Sequence, residues 1–160
     1  MLAQKENHAK EQAISKFESI VGLIDRLRHT QECSDVECDH PNEIIADELE
    51  IKLSEVDDDA RIEYHDEEEA RQRIEEFPLD VEVRSTWHHP GDEDPPREFM
   101  ILLCTGGPAV RITGDLDAYG EPVTARIEYQ DWFTHWEQLP NNREREYYLL
   151  NFARCFYFGE

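Results

Sequence analysis

The chain reads as an α+β protein: an antiparallel β-meander of about four strands, flanked by N-terminal helices and closed by a C-terminal helix. Three observations predict this class. Apolar residues recur at helical spacing near the start, the period changes to two beyond Pro78, and helical spacing returns after Asn142.

Phe17, Ile20, Val21, Ile24 and Leu27 fall at i, i+3, i+4, i+7 and i+10, which predicts an amphipathic helix over residues 4–29. Such a stripe needs something to pack on. Residues 1–31 carry five basic and four acidic side chains, so this is where two copies can meet without strong repulsion. Phe17, Val21, Ile24 and Leu27 are therefore the expected dimerisation residues. Pro41 and Asn42 open a second helix through Ile45, Leu49 and Leu53, although Leu49, Ile51 and Leu53 also alternate as a strand would. Asp66, with Glu69 three residues on, is an N-terminal helix signal, and Ala70, Ile74 and Phe77 give that helix its apolar face until Pro78 stops it.

Beyond Pro78, Leu79, Val81 and Val83 point one way and Asp80, Glu82 and Arg84 the other, which predicts a half-buried strand ending at Trp87. A loop over 88–97 holds Pro90, Gly91, Pro95 and Pro96. It leads to a central strand at 99–104, a turn at Gly106 and Gly107, and a returning strand at 109–113. Residues 115–122 turn again, and Val123, Ala125, Ile127 and Tyr129 alternate into the fourth strand. Asn141 or Asn142 caps the last helix, in which Tyr148, Leu149, Phe152 and Phe156 recur before Gly159. The 160 residues suit one compact domain with an appendage. The expected division is an acidic helical segment over 1–65 and an α+β domain over 66–160.

The 38 acidic residues outnumber the 16 basic ones, for a net charge of −22. That sign excludes a conventional nucleic-acid or anionic-membrane binder, since neither phosphate neutralisation nor lipid steering works with it. Basic protein surfaces are the expected partners. No stretch approaches the roughly 18–20 apolar residues of a membrane span. Residues 1–10 are too polar and too mixed in charge for a secretory signal, and Cys33, Cys38, Cys104 and Cys155 are too sparse for a secreted disulfide scaffold. A cytoplasmic protein is expected. The excess charge is uneven: residues 32–82 hold 21 acidic and four basic side chains, a net of −17. Two plain explanations compete with a functional acidic face. One is a solvated or partly disordered run, as at 57–59 and 66–69; the other is salt adaptation, since only four of the 16 basic residues are lysines.

Four groups of residues suggest chemistry. His29, Cys33, Cys38 and His40 are of the types that hold tetrahedral zinc. However, the spacing is not that of a standard finger, and the one-residue gap before His40 is awkward. The set is read as an incidental polar loop, with no metal or other cofactor expected. Asp115, Asp117 and Gly120 imitate a calcium loop, but its twelfth position is Arg126 where a glutamate belongs, so a hairpin turn is expected. Cys104 closes an apolar strand, where a small buried hydrophobe is a commoner role than a nucleophile served by His88, His89 or His135. The chain has no GxSxG, HExxH or phosphate-binding loop, and no catalytic residue is expected. Trp87, Trp132, Phe133 and Trp136, with Tyr147, Tyr148, Phe156, Tyr157 and Phe158, are expected to seal one end of the sheet, or else to form an exposed aromatic patch.

The run ILLCTGGPAVRI at 101–112 is followed by Gly114-Asp115-Leu116, Tyr119-Gly120-Glu121-Pro122, Glu128-Tyr129-Gln130-Asp131-Trp132 and a CFYFGE ending at 155–160. It resembles a family of small proteins without assigned chemistry, encoded on bacteriophages and other mobile elements of proteobacteria. The similarity covers residues 78–160. No site residue carries over; the resemblance implies a genomic setting in which small acidic proteins often act against host defence systems. The expected function is therefore a non-enzymatic, phage- or mobile-element-encoded inhibitor that occupies a basic, nucleic-acid-binding surface of a host defence protein by DNA mimicry. Its partner-binding residues are Asp57, Asp58, Asp59, Glu63, Asp66, Glu67, Glu68, Glu69, Glu75 and Glu76. The alternative is a structural or regulatory adaptor that pairs through its N-terminal helix, stapled by zinc.

Overall fold

The computed structural model describes residues 2–158 except Thr86, Asp94 and Phe133, with the side chains of residues 2–7 left aside. Phe133, counted above among the strand-end aromatics, and Gly159, expected to end the last helix, lie outside the described residues. The architecture is α+β, as expected, with five α-helices and a five-stranded antiparallel sheet among the described residues. The chain divides into two compact units, a sheet unit of Met1–Ile20 with Phe77–Glu160 and a helical unit of Val21–Glu76. This differs from the expected division at residue 65. The first part of the N-terminal helix belongs with the sheet, and the acidic helices continue to Glu76.

In the sheet unit, strands β1 (Asp80–Arg84), β2 (Glu98–Cys104), β3 (Ala109–Asp115), β4 (Arg126–Gln130) and β5 (Glu137–Gln138) lie in chain order as a meander. The two long central strands follow the predicted period. Phe99, Ile101 and Leu103 of β2 and Val110 and Ile112 of β3 are buried, while the alternate positions are partly exposed. A bulge between Leu102 and Cys104 shifts the register before the turn at Gly106, whose φ of 103° is the left-handed backbone a glycine adopts without penalty. Gly114 pairs with Phe99 across the strands. A side chain there would meet the Thr124 carbonyl oxygen 2.0 Å from its Cβ, so only glycine fits.

β1 corrects the sequence reading of a half-buried strand. It is the sheet edge, Leu79 just before it and its Val83 are 61% and 45% exposed, and its charged Asp80, Glu82 and Arg84 are the kind of side chains that discourage edge pairing. The two-residue β5 carries no periodic signal and was not expected. α5 (Arg143–Ala153) is capped by Asn142, whose side chain accepts from the Arg145 amide at 2.8 Å, and it buries Leu149, Phe152 and Ala153.

α1 (Leu2–Glu32) spans both units. In the sheet unit its Ala9, Ala13 and Ile20 are buried, and Phe17 meets Tyr148 edge-on at 6.3 Å with the Arg145 guanidinium above its ring. In the helical unit its Ile24 and Leu27 are buried. The stripe expected to pair two copies is therefore interior to the chain. Ile24 and Leu27 are buried and form no free dimerisation face, while Phe17 and Val21 are half-buried.

The helical unit continues with α2 (Asn42–Leu49), a 3-10 turn at Leu53–Glu55, α3 (Asp58–Tyr64) and α4 (Glu67–Glu76). Its apolar cluster is Ile45, Leu49, Ala60 and Tyr64, with Ile51 and Val56 packed on it. α3 has no counterpart in the sequence reading. The acid run at 57–59 looks self-repelling, but Asp57 caps the helix by accepting the Ala60 amide at 2.9 Å. Asp58 and Asp59 occupy its first turn, where the helix dipole favours negative charge. Asp66 caps α4 in the same way, accepting from the amides of Glu68 and Glu69. Among the described residues no helix is long and apolar enough to cross a membrane.

Candidate metal centre and acidic surface

The helical unit draws the end of α1, the loop 33–41 and the end of α3 to one place. His29 lies in the last turn of α1, and the Cys33 amide extends that turn by donating to the His29 carbonyl at 2.8 Å. Cys38 is held by Arg61 of α3. The Arg61 guanidinium donates to the carbonyls of Val36 (2.7 Å), Cys38 (2.7 Å) and His40 (3.3 Å) and to Asn42 Oδ1 (2.6 Å). A planar fork with five donors suits this clamp, because one rigid group satisfies several loop acceptors together. His65 follows α3, with its Nδ1 2.7 Å from the Arg61 carbonyl. A carbonyl only accepts, so Nδ1 carries the proton and the Nε2 lone pair is left facing the cluster.

The result is a group of four soft or borderline ligand atoms. His29 Nε2 and His65 Nε2 are 3.1 Å apart, and Cys38 Sγ lies 3.6 Å from the first and 3.4 Å from the second. With Cys33 Sγ, all four atoms fall within 4.8 Å of one another, and all four residues are half-buried. Burial, and then His40 and His65 nearby, hold the His29 imidazole below its ordinary pKa.

His40 is not the fourth member that its sequence spacing suggests. Its Nε2 is 2.8 Å from the Tyr64 hydroxyl, and its ring stacks on that of Tyr64 and lies 4.3 Å from that of His29. Burial pushes the Tyr64 hydroxyl up to about 12, so it stays protonated and shares a hydrogen bond with His40 Nε2. Burial, followed by His65 and Arg61, lowers the His40 pKa. His40 therefore braces the cluster from the side, and His65, 36 residues from His29, takes its place. Sequence reasoning missed His65 and Arg61. The signal that points to them is the Asp57 cap with Ala60 and Tyr64 one turn apart, which defines α3 and puts Arg61 and His65 on successive turns of it.

The ten acidic residues expected to bind a partner fall into three groups. Asp57 and Asp66 are caps. Glu63, Glu67 and Glu69 pair with arginines, Glu67 with Arg71, and Glu63 and Glu69 with Arg73; Glu69 also pairs with the buried Arg26. Glu76 accepts from Gln72 at 2.9 Å. Among the described residues Asp58, Asp59, Glu68 and Glu75 have no such internal duty. All ten except Glu69 are exposed.

The remaining candidates have structural explanations. Asp117 Oδ1 accepts from the amides of Tyr119 and Glu121, closing a turn with Gly120 in the left-handed region. Cys104 Sγ lies 3.9 Å from the Pro108 carbonyl, and burial pushes its thiol up, opposite to what a nucleophile needs. A groove of about 210 Å³ on the sheet is lined by Arg84, Arg111 and Arg126, but each is paired, with Glu98 or Glu128. The aromatics divide. Phe158 is buried against Phe99, Phe156 meets Phe152 and Trp136 lies under Arg111, whereas Trp87, Trp132, Tyr147 and Tyr157 are exposed. No family model, no curated protein and no solved structure matches this chain.

Proposed function

We propose that this protein is a non-enzymatic interaction protein whose helical unit presents carboxylates to a basic, nucleic-acid-binding surface of a host protein, as a mobile-element inhibitor acting by DNA mimicry. The observation that carries the reading is the density of exposed acid on α3 and α4. Ten acidic and three basic residues fall within 57–76, and nine of the ten acids face solvent. Duplex DNA presents one charge per about 1.7 Å, so carboxylates fixed on short capped helices compete for the lysines and arginines that otherwise hold phosphate.

The test uses the four carboxylates that, among the described residues, neither cap a helix nor pair with another side chain. The variant Asp58→Asn, Asp59→Asn, Glu68→Gln, Glu75→Gln is expected to stay folded with only a small drop in melting temperature, because exposed substitutions change stability little and a first-turn charge contributes about 0.3–1 kcal/mol. In pull-downs from proteobacterial lysate at low salt, the wild type should capture a basic protein that duplex DNA elutes, and the variant should capture much less. Equal capture by both proteins, or capture unchanged at about 0.5 M salt, where the Debye length is only a few ångströms, would leave the acidity as a solubility trait.

A further inference from the structure

We propose that His29, Cys33, Cys38 and His65 form a tetrahedral two-sulfur, two-nitrogen site for a zinc ion that staples the end of α1, the following loop and the end of α3. The inference is independent of the partner reading above, since it concerns what holds the helical unit together.

The spacing of the ligand atoms carries it. Zinc bonds of about 2.05 Å to nitrogen and 2.3 Å to sulfur, at tetrahedral angles, set the edges of the ligand tetrahedron at about 3.3 Å for N to N, 3.6 Å for N to S and 3.8 Å for S to S. The corresponding distances here are 3.1 Å between the two Nε2 atoms and 3.6 and 3.4 Å from these to Cys38 Sγ. One triangular face of the tetrahedron is thus already built. Cys33 Sγ, within 4.8 Å of the other three, completes it by closing to the edge lengths of about 3.6 to 3.8 Å.

The surroundings supply a second, independent observation. Imidazoles that bind metal characteristically donate their other ring N–H to a carbonyl or carboxylate, which fixes the tautomer. His65 Nδ1 has that partner in the Arg61 carbonyl at 2.7 Å. The Arg61 side chain holds the loop on both sides of Cys38 and reaches Cys38 Sγ itself at 3.9 Å. One residue therefore orients a ligand from each of two segments. On binding, two S–H bonds break, two Zn–S bonds form and two protons leave to solvent. Two thiolates and two neutral imidazoles around a divalent ion sum to zero charge, which suits a half-buried position. Four protein ligands close the coordination sphere, which makes the site structural. The sulfur content selects zinc over magnesium or calcium, which nearby carboxylates attract loosely through oxygen.

The full chain, purified under reducing conditions, is the test material. Elemental analysis should give one zinc per chain, and cobalt(II) titrated into the metal-free protein should produce the visible bands of a tetrahedral ion with two thiolate ligands. X-ray absorption on the zinc form should count two sulfur and two nitrogen neighbours, and needs no variant. His65→Gln should weaken cobalt binding more than about 100-fold, whereas His40→Gln should leave the spectrum intact. Arg61→Lys, which removes the clamp but no ligand, should weaken binding about 10- to 100-fold with an unchanged spectrum. Absence of stoichiometric binding, an oxygen-only coordination shell, or loss of the tetrahedral spectrum in His40→Gln with its retention in His65→Gln would each overturn the assignment.

Discussion

In the sheet unit the large fully buried side chains, among them Ile101, Val110, Ile112, Ile127, Leu149 and Phe152, are all apolar; in the helical unit, beside Ile45, Tyr64 and Ile74, the largest fully buried side chain is that of Arg26. The first unit is held by interdigitated apolar surface on an antiparallel ladder. The second adds polar cross-links to its apolar cluster. Arg26 donates to the carbonyls of Glu63 and Tyr64 at 2.8 and 3.1 Å and pairs with Glu69, while Arg61 ties the loop after α1 to α3. Apolar packing spreads its contribution over many small contacts, whereas a buried guanidinium concentrates it in one residue. The helical unit should therefore fail at single polar positions and the sheet unit at positions of shape.

The largest effect is expected from truncation. A chain starting at Asp66 lacks Ala9, Ala13, Phe17 and Ile20, the part of α1 that belongs to the sheet unit. It should show no dispersed amide spectrum; a well-dispersed one would mean that the meander completes its own core. Next comes Arg26→Ala, which strands the buried carbonyl of Tyr64 and the part-buried one of Glu63 and unpairs Glu69, at a cost of about 3–5 kcal/mol. Urea unfolding followed at helical-unit amides should register it, and a loss below about 1 kcal/mol would show that the guanidinium is not the keystone. Gly114→Ala tests the sheet unit. Its methyl would meet the Thr124 carbonyl and the Phe99 ring, an overpacking cost of about 1–3 kcal/mol expected at sheet amides first.

The smallest effect sharpens the contrast from the other side. Glu48 approaches α1 at Gly22, and burial raises its carboxyl above the ordinary range despite Arg26 and Arg73. A carboxyl whose folded pKa lies above its unfolded value binds more protons in the folded state, so its contribution falls as pH rises through that window. Glu48→Gln should therefore raise the melting temperature of the helical unit at neutral pH and lose that advantage below pH ~4. A constant difference across the pH range would place its origin in packing.

Much of the fold was legible in local pattern. The alternation of Phe99, Ile101 and Leu103 sets one face of β2, and the Asp66 and Asn142 caps start α4 and α5, because periods and caps are properties of neighbouring residues. The exposure of β1, the pairing of β5 and the burial of the α1 stripe depend on which elements come to lie alongside, and no local period records that. The same holds at the metal centre. Sequence spacing offers His29, Cys33, Cys38 and His40 as neighbours, yet Tyr64 claims His40 and α3 returns His65 to His29. A ligand set is decided by where the chain comes back to itself. His29 and His65 lie on separate elements 36 residues apart, so only the packed helices, and the Arg61 clamp between them, bring their nitrogens to 3.1 Å.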